Sequence, residues 1–299
     1  LFFALFALYI SFYAEICLFK LKLKENVCLK KIIIFTLISI LVCLCRNNGF
    51  YMVLPANIIL VFLLRKKKKI YLASSLFCLI FVWICYNSVF LPLSDVQPGS
   101  KREMLSVPFQ QTARYISSYP DEVTQEEKNA IAKVLDYEHI AANYNPEVSD
   151  QVKNTFNEHA TNEELKNYFR VWLQMFFKHP AVYIQSFLAN SYGYIYPFSN
   201  HDIVDAYQFY IRYEPQKDPE KGLNIYYVFD YSVRKSVEGW SELWRTAPGL
   251  SQILNPGTYS WILFVLIGIL IKYRQWRYIH VMTAPFLNIA VCCMSPVNG

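Results

Sequence analysis

Arg65–Leu93 reads RKKKKIYLASSLFCLIFVWICYNSVFLPL. Five consecutive basic residues precede 24 residues without a charged side chain. A helix over Ile70–Leu93 would be about 36 Å long at 1.5 Å per residue, more than the roughly 30 Å of a bilayer's hydrocarbon. Five further apolar stretches flank it at a distance: Leu1–Phe19, Ile32–Cys45, Phe50–Leu64, Tyr259–Ile271 and Tyr278–Met294. The whole chain follows suit, with 54% apolar and only 17% charged residues, where a soluble domain carries about 25%. That composition excludes a disordered chain, a collagen, a coiled coil and a basic nucleic-acid-binding protein.

The net charge of +6 is unevenly spread. Residues 94–258 hold 15 Lys+Arg and 21 Asp+Glu, which leaves 29 − 15 = 14 basic and 23 − 21 = 2 acidic residues elsewhere. Thirteen of those 14 fall in three clusters: Lys20, Lys22, Lys24, Lys30 and Lys31; Arg65–Lys69; and Lys272, Arg274 and Arg277. With all three clusters in the cytoplasm, every apolar stretch alternates direction consistently. The predicted fold class is therefore mainly α: a multi-spanning helical membrane protein with a mostly helical extracytoplasmic domain. Residues 1–93 form a transmembrane region of four apolar stretches, including a short hairpin over 32–64. Residues 94–258 lie outside, and 259–299 form two more spans. Leu1 opens inside an apolar run and Gly299 closes at the start of a loop, so both ends read as cuts from a longer membrane protein.

His179–Phe198 tempts a further span. Gln185, Ser186, Asn190 and Ser191 argue against one, and crossing there would move the Lys272–Arg277 cluster outside. The expectation is a helix near 181–198 in the outer interface or packed on the spans, with Tyr183, Tyr192, Tyr194 and Tyr196 as its belt. Within 94–258, Thr124-Gln125-Glu126-Glu127 and Thr161–Glu164 are capping boxes. Ile131, Val134, Leu135, Ala141 and Ala142 recur at helical spacing behind the first. LKNYFRVWLQMFFK follows the second and ends before Pro180. A shorter helix is expected over Asp150–Asn157, and weak strand signals stand at Ile225–Phe229.

All eight cysteines lie in or beside the apolar stretches, and 94–258 has none, so that domain has no disulfides. Neither an Asn-x-Ser/Thr sequon nor a Cys/His metal spacing occurs. A bacterial cell-surface domain fits this pattern. The signatures G-x-x-x-x-G-K-S/T, G-x-G-x-x-G, H-E-x-x-H and G-x-S-x-G are absent, which removes support from nucleotide, dinucleotide, zinc-protease and elbow-serine chemistry. The five histidines are scattered, and no metal or cofactor is expected. Glu15, the one acid in an apolar stretch, is expected to snorkel beside Lys20.

Arg46-Asn47-Asn48-Gly49 is the first candidate site. Arg46 is the fourteenth basic residue, at the opposite end from the clusters. The hairpin arms, 14 and 15 residues, reach only about 21–22 Å. The guanidinium and the two carboxamides are thereby expected at or under the lipid phosphates, and an arginine fork suits phosphate. A plain Asn-Gly turn paired to ordinary headgroups is the alternative. KREMLSVPFQQTARY, Lys101–Tyr115, is the second candidate. Glu103, Gln110, Gln111 and Arg114 make a polar set fit for sugar hydroxyls, or else a linker with solvated charges.

RNNGFY at the hairpin tip, SVPFQQTARY after a span, NYNPEVSDQVK and KHPAVYIQSFLANSYGYIYP resemble a family of multi-spanning membrane proteins of Gram-positive bacteria. That family is distantly similar to the GT-C membrane glycosyltransferases. The resemblance implies a polyprenyl-phosphate-linked sugar donor and a cell-envelope glycan or lipid acceptor, joined on the outer face of the membrane, with no nucleic acid involved. Arg46 would hold the donor phosphate, Asn47 and Asn48 would orient it, and Glu103–Arg114 would face sugar or acceptor. GT-C enzymes commonly place an acidic base in the first outer loop, which would precede Leu1. A different class remains open: a non-enzymatic, membrane-anchored surface domain that binds wall polymer or an assembly partner.

Overall fold

The computed structural model describes residues 1–21, 29–63, 66–96, 101–198, 217–218, 223–224, 229–247 and 249–294. The protein is mainly helical, with two hydrophobic cores among the described residues. The first belongs to α1 (Phe2–Leu21), α2 (Leu29–Cys45), α3 (Asn47–Leu63) and α4 (Lys66–Cys85). A π-helical turn, Tyr86–Phe90, carries α4 on into Leu91–Leu93. The α1–α4 core interleaves Tyr9, Tyr13, Phe35, Val42, Val53, Leu60 and Leu79. Their outward neighbours are apolar as well: Leu37, Phe62, Phe77, Phe81 and Ile84 are all exposed.

Among the described residues one helix, Ile70–Leu93, is long and apolar enough to cross a membrane, and only 6% of its most apolar window is buried within the protein. It is therefore not the core helix of a soluble domain, which would hide such a surface. Phe2–Leu18, Asn48–Leu63 and Pro256–Lys272 are shorter apolar helices.

A few polar side chains tie the bundle together from inside. Tyr9 Oη donates to Asn57 Oδ1 (2.9 Å), and Asn57 Nδ2 reaches Ser39 Oγ (3.4 Å). Thr36 and Ser75 share a hydroxyl hydrogen bond of 2.6 Å across α2 and α4. Such pairs hold helices in register where apolar packing alone has no direction. Glu15 of α1 forms its ion pair with Lys31 of α2.

The second core, in the expected extracytoplasmic region, is built by α5 (Ser106–Ser118), α6 (Gln125–Ala132), α7 (Asn162–Lys178) and α8 (Pro180–Ser191). Phe109, Tyr115, Ile131, Tyr168, Val171, Met175 and Tyr183 fill it. Both capping boxes form. Thr124 N–H donates to Glu127 Oε2 and Glu127 N–H to Thr124 Oγ1, and Thr161 and Glu164 repeat the exchange. The helix behind the first box is shorter than its apolar spacing suggests. The Val134 and Leu135 amides both bond the Ile131 carbonyl, ending the turn. The chain restarts as Tyr137–Ile140 behind Asp136. Val134 and Leu135 stay buried, so the periodicity reported burial rather than one continuous helix. The helix expected over Asp150–Asn157 spans Asp150–Lys153.

α8 is 12 residues long, about 18 Å, too short to cross a bilayer. Val182, Tyr183, Ser186 and Asn190 bury it against α5. The next turn, Tyr192–Tyr194, packs on α10 (Pro256–Lys272) and α11 (Thr283–Cys293) once the chain has passed α9 (Tyr231–Thr246). Ser260 Oγ donates to the Tyr194 carbonyl, and a Cβ on Gly257 would run into the Tyr196 carbonyl. The strand region Ile225–Phe229 lies, except for Phe229, outside the described residues. The strand pairing described is the two-residue ladder of Lys217–Asp218 with Leu223–Asn224.

Candidate functional site at the hairpin tip

Arg46 is the single residue between α2 and α3. Gly49 N–H donates to the Arg46 carbonyl (2.8 Å) and closes the tip. Glycine is needed there, because a Cβ would stand 2.5 Å from the Val42 carbonyl oxygen and 3.0 Å from its carbon. That close approach lets the first turn of α3 lean on the last turn of α2. The Arg46 side chain is exposed, with its guanidinium carbon 5.6 Å from the centroid of the Phe2 ring. Cys292, near the end of α11, lies within reach of its charge. Three segments thus meet at one end of the bundle: the start of α1, the α2–α3 tip and the end of α11. One turn below the tip, Phe50 stacks on Trp83 of α4, 4.5 Å between centroids at 9°. Asn48 is exposed beside Arg46, and Asn47 opens α3.

The result is an exposed guanidinium above an aromatic floor, at the end of a bundle whose other charges cluster elsewhere. An arginine fork in such a place can take two oxygens of a phosphate monoester or diester. Beyond the tip, Pro197, Thr258, Trp261, Ile262, Val265 and Leu266 line an open apolar groove of about 320 Å³ on α10. α11 packs against both α3 and α10.

The second set is brought to one domain, but its members are turned to different partners. Glu103 pairs with Lys153 (2.6 Å), which also holds Asp150 (2.7 Å). Burial pulls the Lys153 ammonium down, and its hydrogen bonds to Asp150 and Glu103 more than offset that, so its pKa is raised. Gln110 is buried and donates to the Asn145 carbonyl (2.6 Å). Gln111 is buried and donates to the Tyr183 carbonyl (3.2 Å). Arg114 reaches Tyr144 Oη (2.9 Å) and Gln185 Oε1 (3.0 Å). Among the described residues these four side chains bind the domain's own loops and helices rather than one another. Gln110 Oε1, Gln111 Oε1 and Arg114 Nε each remain without a hydrogen-bond partner among the described residues.

The chain belongs to a family of unknown function, DUF6020, whose match runs over residues 1–299. No curated protein and no solved structure matches it.

Two groups around these sites escaped the sequence reading. Tyr144, Asn145 and Gln185 complete the surroundings of Gln110 and Arg114, and Glu147 nearby accepts from Tyr192 Oη (3.0 Å). Burial, then the hydrogen bond to Glu147 and its charge, raise the Tyr192 phenol. NYNPE carried the signal, since an Asn-Pro pair marks a loop that must be pinned to something. The second is the Tyr9–Asn57–Ser39 chain inside the bundle. A lone Asn in the apolar run LPANIILVF was its mark, because an amide buried among apolar helices needs a partner. Among the described residues no group of three His, Cys, Asp or Glu side chains could hold a metal ion.

Proposed function

We propose that this protein is a multi-pass cell-membrane glycosyltransferase of GT-C type. It would transfer a sugar from a polyprenyl-phosphate donor to a cell-envelope acceptor on the outer face, with 94–258 extracytoplasmic. The observation that carries the reading is Arg46, the one basic residue of the helical bundle set apart from its three basic clusters, exposed at the hairpin tip above Phe2. Support for the membrane comes from the uncovered apolar faces of α1–α4 and α10. The apolar groove on α10 suits a prenyl chain.

In the reaction, the bond between the sugar's anomeric carbon and the phosphate oxygen breaks, and the phosphate leaves with the electron pair. An acceptor hydroxyl oxygen bonds to that carbon and gives up its proton. Arg46 stabilises the negative charge that grows on the departing phosphate. Asn47 and Asn48 follow Arg46 directly in sequence, placed to orient that phosphate. No residue of 1–299 is assigned as the base. A second reading, a non-enzymatic surface domain that binds wall polymer or an assembly partner, is favoured by Gln110, Gln111 and Arg114 being committed to the domain's own structure.

Glycan transfer by the full-length protein in membranes, at matched expression, separates the two. A hydrogen bond to a charged group is worth about 1.5–3 kcal/mol, so Arg46→Ala should lower transfer roughly 10- to 150-fold. Arg46→Lys keeps the charge without the fork and should recover part of it. Lys66→Ala, a charge control in the Arg65–Lys69 cluster, should behave as the parent. Parental transfer by Arg46→Ala would leave Arg46 a headgroup anchor and refute the phosphate site.

A further inference from the structure

Among the described residues α9 contributes to neither core. Among the described residues it packs against the short helix Leu250–Leu254 that follows it. Its sequence, YSVRKSVEGWSELWRT, divides sharply around the helix axis. Val233, Val237 and Trp240 recur at i, i+4 and i+7, and Trp244 stands at the next such position. They share a strip about 60° wide at 100° per residue. Arg234, Lys235, Glu238, Glu242 and Arg245 all occupy positions on the opposite side. The strip faces outward: Val233 is 43%, Val237 49% and Trp240 61% exposed.

We infer that α9 lies flat on the lipid bilayer, with the Val233–Val237–Trp240 strip sunk between headgroups and its charged side turned away from the lipid. This rests on the membrane reading given above and extends it to a segment with no assigned role. Three observations favour lipid as the occupant. The strip is continuous along the chain with apolar surface: Ile253 is exposed just after it, and α10 begins at Pro256 with Tyr259, Trp261 and Ile262 exposed. Gly249, at φ +83°, breaks the helix between α9 and Leu250–Leu254, so the chain can lie along a surface and then turn into the apolar helix. The helix also has the chemistry of an interfacial one, with valine and tryptophan on the strip and, opposite, a charged side of three basic and two acidic residues. A second copy of the chain is a poorer fit. Four positions on one helix fall well short of the roughly 20–30 residues per side of a stable protein interface.

The test uses the whole protein in nanodiscs of phosphatidylethanolamine and phosphatidylglycerol. In a cysteine-depleted background, bimane is attached at Val237→Cys, at Lys235→Cys on the opposite side, and at Val265→Cys on α10. Nitroxide-labelled lipid should quench the Val237 and Val265 probes several-fold more than the Lys235 probe, and aqueous iodide should reverse the order. A Val237 probe as open to iodide as the Lys235 probe would overturn the inference, because the helix would then sit in water. A Val237 probe shielded from both quenchers would overturn it too, with a second copy or another protein segment as the cover. The Val265 probe separates the two ideas. Quenching at 265 without quenching at 237 sinks the α9 inference alone, whereas no lipid quenching at 265 sinks the membrane reading beneath it. A second measurement leaves the cysteines intact. In brominated lipid, Trp240→Ala should reduce the quenchable part of the tryptophan fluorescence, and an unchanged quenched amplitude would count as refutation.

Discussion

Single residues set the shape of the hairpin tip. Gly49 touches the Val42 carbonyl so closely that an added methyl group has backbone, not a flexible side chain, to displace. Gly268 of α10 is the contrast, with nothing within 4 Å of its Cβ position. Gly49→Ala should therefore cost about 1–3 kcal/mol, as overpacking does. Gly268→Ala should gain up to about 1 kcal/mol, the usual advantage of alanine in a helix. Thermal unfolding of the purified protein in one detergent reads both, and a Gly49→Ala midpoint at or above the Gly268→Ala midpoint would show that the arms do not meet as described. Arg46 was legible from sequence because charge position needs no coordinates: it was the one basic residue outside the clusters. Gln110 and Gln111 were not. A glutamine written beside apolar residues reads the same whether its amide meets a sugar hydroxyl or a buried backbone carbonyl, and here Asn145 and Tyr183 supply the carbonyls.

Between elements, a buried polar tie in the second core joins α6 to α7. Glu127 is buried, accepts the Thr124 amide to complete its capping box, and takes Lys178 Nζ at 2.8 and 2.9 Å on its two oxygens. Its neighbour Glu126 pairs with Arg170 from an exposed position. Burying a carboxylate is costly unless all its bonds are made, so removing Glu127 strips a cap and leaves Lys178 without its anion. Glu127→Ala should cost about 2–4 kcal/mol, counting the cap at about 1 kcal/mol. Glu126→Ala should stay within about 1 kcal/mol, as surface pairs do. Protease susceptibility of the full chain along a urea series gives the comparison, and equal midpoints for the two variants would remove Glu127 from this role. The caps at Thr124 and Thr161 were legible because a capping box is a local, four-residue pattern. The end of α6 at Ala132 was not, because Val134 and Leu135 are buried after the helix stops. α9 is not among the helices expected from the sequence, although its i, i+4, i+7 spacing is present to be counted.

At the scale of the whole molecule, two cores meet through a short seam, where the Tyr192–Tyr194 turn rests on α10 and α11. The ends of the bundle can be matched from contacts. Arg46 lies by Phe2 and within charge range of Cys292, and Phe50 stacks on Trp83, so the tip, the start of α1, the end of α11 and the upper part of α4 share one end. Glu15 with Lys31, and Cys17 by the His280 carbonyl, belong to the other, toward the basic clusters. The second core joins α10 through Ser260 and Gly257, in its first turns, while Lys272 closes that helix beside a basic cluster. The domain and Arg46 therefore stand at the end away from the clusters. If positive charge marks the cytoplasm, both face outward, and the chemistry proposed for Arg46 requires it. A cysteine introduced at exposed Asn129, in a cysteine-depleted background, should react with a membrane-impermeant maleimide in whole cells. Reporters fused after Asn200 and after Gly257 should both report the outside, since α8 is too short to cross. Labelling of Asn129→Cys only after lysis would invert the molecule and remove Arg46 from any outer-face donor. Opposite reports from the two fusions would place a crossing between residues 200 and 257, and the single-sided domain would have to be redrawn.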